Sequence, residues 1–373
     1  MTNKTSPVVK IAVLLIAAAL LFWPFLFQDV RSIQVAARIC VFIVLVASYD
    51  LLIGYTGIVS FAHTMFFGFG SYGAAIALDR MGPGWDAVAL GALAGVAVSL
   101  VSAVAVGLLS LRVKAIFFAM ITLATASVAL VLASQLSGLT GGEDGITYSA
   151  PDLFKPATKL LVDADGKVVK LFGVSLNGKV AAYYFVCLSA LVLFGVMLRL
   201  VASPIGTVLK AIRENEARAE AIGYRVVAYR TFVFCVAAVI ASLAGTVYAV
   251  WLKYTGPETA LSFDIMIDIL LMVVIGGMGT MWGAVIGATA LVLAQYYLRD
   301  LMGSASEALA GLPVLPEILS PERWLLWLGI VFILLVYFFP KGIAGTLSAR
   351  TSARSSARAS GQASGQATGR RAG

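Results

Sequence analysis

The chain has 373 residues, of which 60% are hydrophobic and only 12% are charged, and its mean hydropathy is +0.95. Soluble globular domains carry about a quarter charged residues, so the composition excludes that class and indicates an integral membrane protein. The three cysteines all fall in apolar stretches, which argues against a disulfide framework or a cysteine metal site.

Ten stretches are apolar over about 20 residues, the length that a helix needs to cross the hydrocarbon of a bilayer. Their approximate limits are 10–28, 35–53, 57–78, 86–111, 113–136, 181–199, 230–252, 264–281, 283–299 and 323–340. The first is interpreted as a retained span, because it is long for a signal peptide and lacks a clear cleavage site. The sequence therefore predicts an all-α polytopic bundle of about ten transmembrane helices.

The distribution of basic residues predicts the orientation. With the N-terminus inside, 16 of the 27 Lys and Arg residues lie on the cytosolic side, and an even number of spans places the C-terminus there too. The loop 137–180 is then external, and Asp165-Gly166 predicts a small β-ribbon within it, between 160–162 and 168–171.

One membrane domain is predicted over 1–347, followed by a disordered basic Ser/Ala/Gly tail over 348–373. The net charge of +8 sits at span edges and in the tail, where anionic lipid explains it and nucleic acid is not needed.

Residues 203–223 carry the signature of one amphipathic cytosolic helix. Ser203 is a predicted cap, Pro204 suits the first turn, and Gly223 can end the helix. One predicted stripe is apolar and consists of Val208, Ile212, Ala219 and Ile222. A second stripe is charged, with pairing expected among Lys210, Glu214 and Arg218.

No catalytic or metal site is predicted, which indicates that the chain is not an enzyme. Gly173, Gly178 and Lys179 have the spacing of a phosphate-binding loop, but Val180 replaces the Ser or Thr that holds magnesium. We therefore expect this chain to bind no cofactor, with any ATP held by a partner. His63 is the only histidine, and either a hydrogen bond to a neighbouring helix or contact with substrate would explain it.

Two glycine clusters lie in corresponding halves of the chain. The first comprises Gly54, Gly57, Gly68, Gly70 and Gly73, and the second Gly276, Gly277, Gly279, Gly283 and Gly287. Such clusters are typical of close helix packing, and equally of interrupted helices around a substrate path. On the second interpretation the path is lined by Gly54, Gly57, Ser60, His63, Gly68, Gly70, Gly276, Gly277 and Gly279.

Three carboxylates near span ends are compatible with a second class of transporter, a carrier coupled to a cation gradient. Asp50, Asp264 and Asp268 would suit a cation-coupled carrier, although a position near the interface or pairing with Lys253 and Arg38 explains them more simply.

Five ordered blocks resemble the Liv-type family, and its M-type in particular. The blocks are YDLLIGYTGIVSFAHTMFFGFGSYGAAIAL (49–78), TGGEDGI (140–146), LKAIRENEARAEAIGYRV (209–226), VIGGMGTMWGAVIGA (274–288) and FFPKGIAG (338–345). Members of this family are membrane subunits of ABC importers for branched-chain amino acids.

The resemblance implies a permease subunit in a bacterial inner membrane, and gives the cytosolic segment the role of coupling to an ATPase. The residues concerned are Arg213, Glu214, Glu216, Ala219, Glu220 and Gly223. The implied partners are a second homologous permease, two ATPases that hold ATP and Mg, and a periplasmic binding protein. The alternative is a stand-alone ion-coupled carrier or passive channel for small amino acids, urea or amides.

Overall fold

The computed structural model describes residues 7–27, 29–110, 115–155, 158, 170–171, 174–175, 177–308 and 319–347. The predicted tail 348–373 lies outside the described residues, as do Arg112 and Lys114.

The described chain is almost entirely helical. Its helices are α1 (Pro7–Leu26), α2 (Val30–Ile53), α3 (His63–Met81), α4 (Trp85–Ser110), α5 (Ala115–Gln135), α6 (Ser137–Thr140), α7 (Gly178–Ala202), α8 (Pro204–Glu214), α9 (Glu216–Ala221), α10 (Val226–Leu252), α11 (Pro257–Ala260), α12 (Phe263–Gly276), α13 (Met281–Ala308) and α14 (Trp324–Phe338). Residues 342–347 are also helical. The strands have two residues each: β1 (Ile146–Thr147), β2 (Lys170–Leu171), β3 (Val174–Ser175) and β4 (Tyr254–Thr255).

Nine helical segments of the described chain are long and apolar enough to cross a membrane. This confirms the predicted all-α polytopic class. The remaining predicted span, the third in chain order, corresponds to α3, which is less apolar because it contains His63, Asp79 and Arg80. The predicted limits 57–78 are wrong at their start, because residues 54–62 are not helical and α3 begins at His63. Likewise the span predicted over 264–281 ends at Gly276.

The core is built around α2 and α3. Helix α2 is buried almost without interruption from Val35 to Leu52, and α3 from His63 to Leu78. Helices α4, α7, α10, α12 and α13 pack around this pair. Helices α1, α5, α7 and α14 are mostly exposed, and their apolar surfaces suit contact with lipid.

Very close backbone approaches hold these helices together. At Gly70 of α3 an added Cβ atom would overlap the Ser242 carbonyl oxygen of α10. A glycine is required there because any side chain would push the two helices apart. Glycines also allow close contact between α3 and α4, where Gly73 faces Gly91 and Gly95.

The beginning of the external loop folds onto the outer ends of the helices. Strand β1 pairs antiparallel with β4, with Ile146 opposite Thr255. The Tyr148 hydroxyl lies 2.9 Å from both the Ala249 carbonyl and the Thr255 hydroxyl. Burial raises the pKa of Tyr148, so its hydroxyl stays protonated and donates to the carbonyl.

Only part of the predicted β-ribbon lies within the described residues. Strand β2 pairs antiparallel with β3, with Lys170 opposite Ser175. The predicted strand 160–162 and its turn lie outside the described residues.

We expect Gly70→Ala to lower the thermal stability of the purified chain, since overpacking costs about 1–3 kcal/mol. Gly195→Ala in α7 is the matched control, because an added Cβ there meets nothing within 4 Å. The control should be neutral or slightly stabilising, since alanine favours a helix more than glycine does. Equal melting temperatures for both variants would contradict the close approach of α3 and α10.

Candidate functional site

The cytosolic segment forms two helices where the sequence predicted one. Helix α8 ends at Glu214, Asn215 has extended backbone, and α9 begins at Glu216. The Asn215 side-chain oxygen accepts a hydrogen bond from the Arg218 amide at 2.9 Å, which caps α9. A continuous helix over 203–223 is therefore wrong, because Asn215 supplies a new start within it.

The break also separates the predicted stripes. No ion pair joins Lys210, Glu214 and Arg218, all of which lie in the described part of the chain. Ile222 is 67% exposed and so does not continue the apolar stripe. Gly223 has a φ of +94°, as expected for a residue that ends a helix.

Pro204 begins α8 as predicted, but Ser203 does not cap it through its side chain. The Ser203 hydroxyl instead donates to the Leu200 carbonyl of α7 at 2.6 Å. Helix α8 thus continues directly from the membrane helix α7 after a sharp turn.

Both short helices are attached to the membrane domain. Leu209 and Ile212 of α8 are buried, as is Ala219 of α9. Glu216 of α9 accepts two hydrogen bonds from the Arg230 guanidinium of α10, at 2.7 and 3.0 Å. The two helices therefore lie against the inner ends of α7 and α10.

Arg213 reaches from α8 into the membrane domain. Its Nη1 donates to the Gly54 carbonyl oxygen, just beyond the end of α2. Lys210, one turn earlier on α8, places its Nζ 5.3 Å from the centre of the Tyr55 ring. Two cations of the cytosolic helix thus hold the segment that links α2 to α3.

The turn between α12 and α13 contacts the same end of α2. The Gly279 amide donates to Asp50 Oδ1 at 2.8 Å, and Asp50 is buried near the end of α2. Gly279 has a φ of +82°, and an added Cβ would lie 2.6 Å from Arg213 Nη1. We call the group of Asp50, Gly54, Arg213 and Gly279 the inner junction.

The other glycines predicted to line a path occupy packing or turn positions. Gly57 lies beside Arg213, Gly68 faces Leu261, and Gly276 faces the Gly283 carbonyl. Gly277 meets residues 341–342, near the C-terminal end of the described chain. Ser60 is buried in the non-helical segment, where its hydroxyl accepts from the Ala62 amide at 3.3 Å.

His63 is fully buried at the start of α3, and its Nε2 lies 2.7 Å from the Ser48 hydroxyl of α2. Because Ser48 donates its one proton to the Leu45 carbonyl, it accepts from His63, and Nε2 carries the hydrogen. The Tyr49 ring also packs edge-on against the imidazole. The geometry matches a neutral histidine that joins two core helices.

The carboxylates that suggested a cation-coupled carrier are dispersed. Asp264 is exposed at the start of α12, whereas Asp268 accepts from Gln295 at 2.8 Å. Lys253 donates to the Phe154 carbonyl and Arg38 to the Tyr296 hydroxyl, so neither forms a direct ion pair with these carboxylates within the described residues. The Arg38 charge still lies close enough to Asp268 to interact with it electrostatically. Among the described residues no group of three potential ligands could hold a metal ion.

Sequence reasoning missed the inner junction as a unit. The sequence suggests either ion coupling or an interfacial or paired position for Asp50, and it assigns Gly54 and Gly279 to a substrate path or to helix packing. These residues come together only through tertiary contacts. Arg213 is separated from Gly54 by 159 positions in the chain, and Gly279 from Asp50 by 229 positions. The resemblance did place Arg213 in the coupling segment, and that was the one available signal.

The bidentate contact between Glu216 and Arg230 can be tested by a double-mutant cycle. We expect Glu216→Arg to reduce hydrogen-exchange protection of α9, and Glu216→Arg combined with Arg230→Glu to restore part of it. The coupling should be about 0.5–1 kcal/mol, because one partner is half exposed. Additive effects of the two substitutions would contradict the contact.

The comparison with known proteins identifies the family. Residues 32–336 match the family described as the permease component of branched-chain amino acid transport systems. The chain is 28% identical over 318 residues to the high-affinity branched-chain amino acid transport system permease protein LivM of Salmonella typhimurium, covering 83% of this chain and 73% of the relative. The Escherichia coli K12 protein of the same name is 26% identical over 319 residues, with 84% and 73% covered.

A probable branched-chain amino acid transport permease protein LivM from Methanocaldococcus jannaschii is 28% identical over 171 residues, which cover 45% of this chain and 48% of the relative. No solved structure gives a significant match. The resemblance indicated by the five sequence blocks is confirmed. Since the family match extends over most of the chain, this protein belongs to the family of branched-chain amino acid transport system permease components.

Proposed function

We propose that this chain is the permease subunit of an ABC importer in a bacterial inner membrane, and that it takes up branched-chain amino acids. Family membership supports the permease role, and the names of the LivM relatives support the substrate class. In this proposal two partner ATPases hold ATP and Mg, a second permease completes the path, and a periplasmic binding protein delivers the substrate. The chain itself carries out no chemical reaction.

The inner junction is the observation that carries this proposal. An importer driven from the cytosol must convert movement of a surface element into movement of membrane helices. Arg213 connects α8 to the end of α2, and Asp50 connects that end to the turn between α12 and α13. Displacement of α8 would therefore act on the inner ends of three membrane helices together.

The outward faces of the two short helices provide the surface for an ATPase. Glu214, Arg218, Glu220 and Ile222 are all exposed. Ala219 is buried and faces the membrane domain, so we assign it to packing and not to docking. Arg213 is exposed, but its Nη1 donates to the Gly54 carbonyl, so we assign it to the connection with the membrane core. The segment thus has one face for the partner and one for the membrane core.

We expect Arg213→Gln to lower uptake of leucine, isoleucine and valine about tenfold, because the charged hydrogen bond to Gly54 is lost, at a cost of about 1.5 kcal/mol or more. The ATPases should still co-purify, since their docking face is unchanged, and ATP hydrolysis should no longer depend on substrate. Uptake is measured in cells and in proteoliposomes that contain the whole transporter.

Arg199→Gln is the matched control for that experiment. It removes the same charge from an exposed position at the inner end of α7, away from the inner junction, and should leave uptake unchanged. Normal uptake by Arg213→Gln would contradict the coupling role. Uptake by the purified chain alone, driven by a cation gradient, would instead favour an ion-coupled carrier.

Charge reversal on the outward face tests docking separately. Glu214 is exposed at the end of α8, so Glu214→Arg should reduce ATPase co-purification while α9 stays protected from hydrogen exchange. Glu258→Arg makes the same change at an exposed position on α11, on the opposite side of the membrane. If both variants retain the ATPases equally, Glu214 is not part of the docking surface.

A further inference from the structure

An apolar groove runs along the membrane surface between α3, α4 and α5. Its volume is about 760 Å³, and its walls include Phe69 and Ile76 of α3, Ala94 and Val98 of α4, and Leu132 of α5. Along α3 the lining extends from Met65 to Met81, which corresponds to about 24 Å of helix axis at about 1.5 Å per residue. The groove is therefore longer than one leaflet of a bilayer, which is about 15 Å deep.

The groove is open to the lipid phase. Leu90, Val98, Val128 and Leu132 line it and are each roughly half exposed. Helix α5 is among the least buried of the membrane helices. In a bilayer such a depression is filled, because an empty apolar cavity forfeits the contacts of its walls.

The lining includes five polar side chains, which belong to Tyr72, Arg80, Ser102, Thr125 and Thr140. Two of them, Arg80 at the outer end of α3 and Tyr72 near its middle, are the groups on which the identity of a ligand depends. Arg80, in the last turn of α3, is the one charged residue among the lining residues, and its Nη2 donates to the Gly138 carbonyl at 3.3 Å. That bond uses one of five N–H groups of the guanidinium. Asp79 precedes Arg80 in the chain, but it does not line the groove.

The second polar group is the hydroxyl of Tyr72, which lines the groove at 6% exposure. Within the described residues this buried hydroxyl has no hydrogen-bond partner. A buried hydroxyl without a partner costs about 1–3 kcal/mol, so a ligand that accepts from it gains correspondingly.

We propose that this groove binds an anionic phospholipid of the outer leaflet. One acyl chain fills the apolar channel between α4 and α5, and the phosphate lies against the Arg80 guanidinium. The Tyr72 hydroxyl donates to an ester oxygen of the same lipid. A phosphate with two hydrocarbon chains matches this combination of one cation at the mouth, one buried donor without a partner and a predominantly apolar channel.

A phospholipid explains the groove better than a helix of a second permease does. A helix is about 10–12 Å across with its side chains and would pair apolar side chains with the walls. Such an apolar surface offers no hydrogen-bond partner to the guanidinium or to the unpartnered hydroxyl. The lipid satisfies both groups and adjusts its chain to an irregular channel. Binding would fix α5 against α3 and α4.

The test uses the full-length chain reconstituted in bilayers that contain phosphatidylglycerol with a photoactivatable acyl chain. After illumination, we expect labelled residues on peptides from α3, α4 and α5. Ala94→Trp fills the channel from an exposed position and should reduce labelling about tenfold, which corresponds to about 1.4 kcal/mol. Leu93→Trp is the matched control, because Leu93 is exposed on α4 and does not line the groove.

Arg80→Gln and Arg80→Lys test the headgroup contact. Arg80→Gln should remove the preference for phosphatidylglycerol over photoactivatable phosphatidylcholine, whereas Arg80→Lys should retain most of it. Tyr72→Phe should weaken labelling by both lipids. Native mass spectrometry of each variant provides a second count of bound lipid.

Three results would overturn the proposal. The first is equal labelling of the Ala94→Trp and Leu93→Trp variants, and the second is equal labelling of the wild-type chain by both lipids. The third is a cross-link from Ala94→Cys to a co-purifying permease in place of lipid. None of them bears on the role of Arg213, so the two proposals can fail independently.

Discussion

The contact between the Arg213 guanidinium and the Gly54 carbonyl is the constraint on which the cytosolic side of the structure depends. The last carbonyl groups of a helix have no partner within that helix, and at the edge of a membrane they need one from elsewhere. A long cationic side chain from a surface helix meets this need and also ties that helix to the core. The contact thereby joins the element that faces the cytosol to the buried helix α2.

The glycines of the two halves divide into two physical roles. Gly70, Gly73 and Gly276 allow backbones to touch, and they make α3, α4 and α10 one packed body and α12 with α13 another. Gly54 and Gly279 instead lie at non-helical points where those bodies meet. Rigid packing beside a turn allows a small displacement at the inner junction to become a movement of whole helices. The substrate path along these glycines stays a prediction.

The sequence predicted most of what depends on local chemistry. Span positions follow from apolar length, and Pro204 and Gly223 mark helix ends as their backbone preferences require. The break at Asn215 was missed because an asparagine within a good helix pattern becomes a cap only when tertiary contacts hold both halves, here through Ile212, Ala219 and Arg230. Likewise, no local sequence pattern indicates that Asp50 accepts a hydrogen bond from the amide of Gly279, which is 229 residues away in the chain.

The structure also constrains where a substrate could pass. A branched-chain amino acid carries both an ammonium and a carboxylate, and a path through the membrane must offer partners to each. Near the glycine segments, His63 Nε2 contacts Ser48, Asp50 Oδ1 accepts from Gly279 and Arg213 donates to Gly54. Within the described residues His63 Nδ1 and Asp50 Oδ2 are buried without a hydrogen-bond partner. The groove between α4 and α5 offers one cation and no carboxylate among its lining residues. In the proposed importer a second permease completes the path for this zwitterion, so the exposed helices of this chain are as important to transport as its packed core.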